Sequence, residues 1–125
     1  MKLLITSIVL FSCLYFGCTK VVQVNVKNAP KQIVIQGNIT NTNGPYFVTI
    51  NETVNYAADN IYPPVSGAIV TIADETSGTV ETLKEQSAGV YATNIIQGKE
   101  THVYKLTVTV NGKTYTAIAT MPKLV

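Results

Sequence analysis

The chain has 125 residues, 46% of them hydrophobic, which is enough for one small domain with its own core. Nine Lys and no Arg stand against seven acidic residues, a formal net charge of +2, and this sparse balance excludes the clustered basic field that nucleic-acid binding requires. With two Cys, one His and no Trp there is little material for a disulfide framework, a metal site or an antibody-type core.

The first segment carries the clearest signal. Lys2 precedes an apolar run from Leu3 to Phe16 that closes on Gly17-Cys18. A positive start, an apolar centre and a small residue before a cut describe a secretory signal peptide, and the run is shorter than the ~20 residues that span a bilayer. The Cys after the small residue resembles a bacterial lipoprotein signal, in which the thiol is lipidated and the chain is cut just before it. Leu10-Phe11-Ser12-Cys13 fits the same local pattern. Cutting there would shorten the apolar run to about nine residues, near the low end of the usual range, and leave Leu14, Tyr15 and Phe16 at the new terminus. Cys18 is therefore the expected lipid-attachment residue, and a plain signal peptide with an incidental Cys is the alternative. Residues 1–17 are read as leader, 18–30 as a lipidated tether and 31–125 as the folded domain. The processed chain then has 108 residues with eight Lys, seven acids and no Cys pair, so its stability must come from packing.

In the tether, Val22, Val24 and Val26 alternate with Gln23 and Asn25 until Pro30, so part of it can pair as a strand. Ile33, Ile35 and Ile39 share one face of a first strand, with Gly37 a bulge or close-approach site. Asn41 to Pro45 is turn chemistry, and Tyr46, Val48 and Ile50 alternate in a second strand. A loop from Asn55 to Pro64 follows. Ala68, Val70 and Ile72 mark a third strand, Asp74 to Gly78 a turn, and Thr79–Leu83 and Gly89–Thr93 two shorter strands. Tyr104, Leu106, Val108 and Val110 alternate cleanly, and Asn111-Gly112 predicts a type I′ hairpin into a last strand through Tyr115, Ala117, Ala119 and Met121. About seven short strands without helical periodicity predict an all-β, antiparallel, immunoglobulin-like sandwich.

Chemistry is sparse. His102 stands at a strand entrance with only Glu100 near in sequence, so it reads as a solvated rim residue rather than a ligand or base. Ser66, Ser77 and Ser87 sit in turn contexts outside any nucleophile elbow. Asp74-Glu75, Glu81 and Glu85 read as solvated charge. The expectation is a protein with no catalytic residues, cofactor or metal. The Tyr-Pro loop is more suggestive: Tyr56, Asn60, Tyr62 and Pro63, followed by Pro64, place amphipathic aromatics on a long connection that is either a binding loop or a cap on the open end of the core.

Taken in order, Cys18-Thr-Lys-Val-Val22, Lys31–Ile39, Gly44–Ile50, Pro64–Ile72, Gly89-Val-Tyr91, Tyr104–Val108 and Asn111–Ala117 running to Met121-Pro122 resemble the Bacteroidota envelope lipoproteins grouped as domain-of-unknown-function family 4249. The resemblance supports Cys18 as anchor. It implies an outer-membrane lipoprotein, facing the periplasm or the cell surface, that accompanies a TonB-dependent transporter, with no catalytic residues to carry over. Such proteins continue past the Met-Pro junction into a larger second region, so the chain is expected to be an N-terminal module or a truncated product. The functional expectation is a non-enzymatic binding or accessory module, with a structural spacer or adhesin-like envelope domain as the alternative.

Overall fold

The computed structural model describes residues 30–55 and 61–124. The leader, Cys13, Cys18, the alternating valines of the tether, Tyr56 and Asn60 lie outside the described residues. Among the described residues eight strands form: β1 Ile33–Gly37, β2 Phe47–Glu52, β3 Ile69–Asp74, β4 Thr79–Thr82, β5 Lys84–Ser87, β6 Val90–Ala92, β7 Val103–Val110 and β8 Lys113–Thr120. They build two four-stranded antiparallel sheets, in the orders β1-β2-β6-β5 and β4-β3-β7-β8. The result is the expected immunoglobulin-like β-sandwich.

Alternation sets which face each strand buries. Val48 and Ile50 of β2, Val70 and Ile72 of β3, Tyr91 of β6, and Tyr104, Val108 and Val110 of β7 meet between the sheets. Val48, Ile50, Val70, Tyr91 and Val108 are almost completely shielded, each worth roughly 1.5–3 kcal/mol of burial. Ile33, Ile35 and Ile39 pack against this cluster from the β1 side, as their shared parity requires. β1 itself ends at Gly37 and keeps an unbroken register with β2. Gly37 is thus no bulge but a close approach: a Cβ there would lie 3.3 Å from Val48 Cγ2.

The terminal hairpin forms as predicted. Asn111 and Gly112 have φ of 50° and 72°, as a type I′ turn demands, and Val110 pairs with Lys113 in an eight-residue ladder. At the opposite edge the strand count departs from expectation. Thr79–Leu83 does not stop at a loop: β4 ends at Thr82, Leu83 alone follows, and the chain continues as β5 in the other sheet. Leu83 is buried, and its N–H still donates to Val70 O at 2.8 Å. One residue therefore carries the chain across the sandwich, a corner made by a strand that switches sheets.

Candidate binding surface and the loops that frame it

The Tyr-Pro loop leaves β2 at one end of the sandwich, and its return is fixed by backbone hydrogen bonds. Glu52 N–H donates to Pro63 O at 2.9 Å and Val65 N–H to Ile50 O at 2.9 Å, while Asn51 and Pro64 form an antiparallel bridge. On the other flank Thr53 and Gln32 are joined twice, through Thr53 N–H to Gln32 O and Gln32 N–H to Thr53 Oγ1, each 2.8 Å. Lys31 adds an exposed ion pair to Glu52 at 3.3 Å. Above this base Ile61 and Tyr62 are 75% and 53% exposed. Tyr62 therefore does not seal the core. Pro63 holds the return, and Tyr56 and Asn60 lie outside the described residues.

Two of the carboxylates, Asp74 and Glu81, are buried rather than solvated, whereas Glu75 and Glu85 stay exposed as expected. Glu81, 6% exposed, accepts the consecutive N–H groups of Asn94, Ile95 and Ile96, and the Ile96 bond is 2.7 Å. Glu85 accepts Gly67 N–H at 3.1 Å and Gly89 N–H at 3.0 Å, joining the segment after the Tyr-Pro loop to the β5–β6 turn. A hydrogen bond from Ser66, together with those two amides, lowers the Glu85 pKa. Each carboxylate replaces water with backbone donors that a sandwich end leaves unpaired.

Three tyrosines do the complementary work on carbonyls. Tyr46 Oη donates to the carbonyl oxygens of Thr40 and Thr42 and accepts Gly98 N–H at 3.2 Å. Tyr91 Oη accepts Ala68 N–H at 2.9 Å and faces Val65 O at 3.3 Å. Tyr104 Oη accepts Lys99 N–H at 2.8 Å and faces Gln97 O at 3.2 Å. Burial raises the pKa of both Tyr91 and Tyr104. Each ring fills the core while its hydroxyl ties a loop. The sequence reading singled out the loop tyrosines and gave these core tyrosines no role of their own.

At the far end, Asp74 and His102 make the one close acid–histidine pair among the described residues. Asp74 Oδ2 lies 2.8 Å from His102 Nδ1, and Oδ1 accepts Thr76 N–H at 3.0 Å and Ser77 N–H at 3.1 Å. His102 is 21% exposed at its side chain and stacks on Tyr104, ring centroids 6.4 Å apart. It is thus a paired and packed residue rather than a solvated rim residue, and its partner is Asp74, not Glu100. Burial is the largest influence on Asp74 and pushes its pKa up, but the hydrogen bonds from His102, Ser77 and Thr76 together outweigh it and hold the carboxyl at about 2. Thr101, just before His102, adopts φ 66°, unusual for a β-branched residue. No three His, Cys, Asp or Glu side chains converge as a metal site among the described residues.

A concavity lies where the end of β1 at Gly37 faces the end of β8. It is an apolar cleft of about 230 Å³ whose lining includes Ile39, Leu106, Ala117 and Met121. A family model for a domain of unknown function (DUF4249) matches residues 19–124. No curated protein and no solved structure matches the chain.

Proposed function

The chain belongs to the DUF4249 family, and from that premise we propose that it is an outer-membrane lipoprotein, held through Cys18, that serves as a non-enzymatic binding or accessory module for a TonB-dependent transporter. The observation that carries this reading is the exposed Ile61–Tyr62 pair beside a hydrogen-bonded loop return. A rigid base presenting an amphipathic aromatic lowers the ordering cost of binding. The leader that closes on Gly17-Cys18 supports the address. One acyl chain holds a membrane only marginally, whereas the several chains of a bacterial lipoprotein Cys make attachment effectively permanent. The carboxylates Asp74, Glu81 and Glu85 are engaged by backbone amides, which favours a scaffold over general acid–base chemistry. The same completeness favours the second reading, a spacer or adhesin-like domain with no ligand of its own.

Affinity capture from detergent-solubilised membranes tests the proposal. A transporter or other envelope partner is expected with the parent protein and lost with Tyr62→Ala. Recovery that is indifferent to Tyr56→Ala and Tyr62→Ala assigns the chain to the spacer class, and a turnover abolished by His102→Ala would overturn the non-enzymatic reading. The anchor is tested separately. Cys18→Ala is expected to release the protein from membranes, Cys13→Ala is not, and an intact mass starting at another residue or lacking acyl mass overturns it.

A further inference from the structure

Phe47, Val80 and Ile95 are large apolar side chains left in water, at 49%, 66% and 70% exposure, and all three line one groove. Three different elements bring them together. Phe47, Ala92 and Lys84 are register partners on β2, β6 and β5, so they stand in one row on the outer face of their sheet. Ala92 points outward and is nevertheless buried: its methyl group is the floor of a trough between Phe47 and Lys84. Val80 enters from β4, beyond the Leu83 corner and on the parity opposite to Glu81. Ile95 belongs to a wall that Glu81 builds, since the buried carboxylate accepts the N–H groups of Asn94, Ile95 and Ile96. Asn43 joins that wall by accepting a 2.9 Å hydrogen bond from Gln97 Nε2 at its Oδ1. The groove has a volume of about 960 Å³, at the upper end of the range for ligand sites.

We propose that this groove binds an extended acidic peptide segment of a partner protein, with the segment's apolar side chains on Phe47, Val80 and Ile95 and a carboxylate at Lys84. Charge selects the sign. Among the described residues that line the groove only Glu81 and Lys84 carry ionisable side chains. Glu81 is buried and its oxygens are taken by backbone amides, whereas Lys84 is exposed. An incoming carboxylate therefore meets one cation and no competing acid. The neutral polar groups suit a peptide backbone. Gln97 and Asn43 spend one group each on their mutual bond, which leaves Gln97 Oε1 as acceptor and Asn43 Nδ2 as donor for the alternating N–H and C=O groups of an extended chain. Two of the three apolar anchors, Val80 and Ile95, are branched aliphatics, which pack against peptide side chains rather than offering the flat face on which a sugar ring stacks. The wall is fixed before binding, because Glu81 and Asn43 already hold residues 94–97, and this lowers the ordering cost. Phe47 starts β2 and Glu52 ends it, so the groove lies at the opposite end of that strand from the Ile61–Tyr62 loop. Binding here depends neither on that loop nor on the membrane address.

Selection of random heptapeptides displayed on phage against the purified chain tests the proposal. The selected sequences are expected to combine Asp or Glu with Val, Ile, Leu or Phe. A synthetic peptide of the commonest sequence is expected to bind Ile95→Asp at least about tenfold more weakly than the parent. Lys84→Glu is expected to turn the selected charge to Lys or Arg, a reversal that a purely structural lysine would not produce. Both substitutions fall on exposed side chains, so the variants should melt with the parent. Selection that enriches no sequence, or the same acidic sequences on Lys84→Glu as on the parent, overturns the proposal. Loss of the peptide in Tyr62→Ala overturns it as well by moving the site to the other loop, whereas unchanged affinity there keeps the two surfaces separate. Saturable binding of cellohexaose that Ile95→Asp abolishes, with no peptide selected, assigns the groove to a saccharide instead.

Discussion

Asp74 couples the folded state to acidity. Its carboxyl titrates at about 2 in the fold against 3.8 in an unstructured chain, so the folded state binds the proton more weakly. The stability this contributes is complete above about pH 4 and is lost as pH falls through about 2. Asp74→Asn is therefore expected to lower the melting temperature at pH 5–7, with the gap from the parent closing toward pH 2 in a series of thermal melts. Gly98 makes a sharper local demand. A Cβ there would run into the carbonyl oxygen of Thr40 and lie 2.7 Å from Met121 Cε. The methionine can move but the backbone carbonyl cannot, so Gly98→Ala is expected to cost about 1–3 kcal/mol by denaturant titration. These roles were unequally visible beforehand. Asp74-Glu-Thr-Ser-Gly78 is legible as a turn, but neither the capping of its amides by Asp74 nor the approach of His102 from 28 positions away is announced locally. Glu81 gave no signal at all, because the amides it binds come from a segment brought to it only by folding.

Elements whose character is local were the legible ones. Strict alternation identified β7 and β8, and Asn111-Gly112 identified the turn between them, because both depend on neighbours within a few residues. Gly112 has φ 72°, and nothing lies within 4 Å of the position a Cβ would take. Gly112→Val is therefore a test of backbone conformation without a clash. It should cost ~1–3 kcal/mol through the strained φ alone. In a domain of this size that is a drop of several degrees in melting temperature, roughly 4–8 °C per kcal/mol. The strand that went unseen, β5, is Lys84-Glu-Gln-Ser87, polar and exposed throughout. It pairs through its backbone with β6 and buries no side chain, so hydrophobic periodicity had nothing to register. The break between β4 and β5 is likewise a tertiary event, visible only once two sheets exist for Leu83 to connect.

At the scale of the molecule, apolar side chains fill the centre while buried tyrosines and carboxylates secure the loops at both ends. The family was readable from the ordered set of segments because that set samples both sheets. The identity of a partner was not, since exposed residues such as Ile61 and Tyr62 answer to a surface outside the chain. The Leu83 crossing also bears on the order in which the domain assembles. β3 and β4 form one hairpin, β5 and β6 another, and Leu83 joins them without a loop, so residues 69–92 make a run of neighbouring contacts. The pairings of β2 with β6 and of β3 with β7 instead close long stretches of chain, which delays them. The central run is thus expected to form early, with β2 and β7 docking onto it later. Leu83→Ala, a core truncation costing about 2–5 kcal/mol, should then appear mainly as slower refolding. Val110→Ala, at the late-docking hairpin, should appear mainly as faster unfolding, and stopped-flow measurement of both rates separates the two. A corner of one residue would then serve as the hinge of the folding reaction as well as the seam of the finished sandwich.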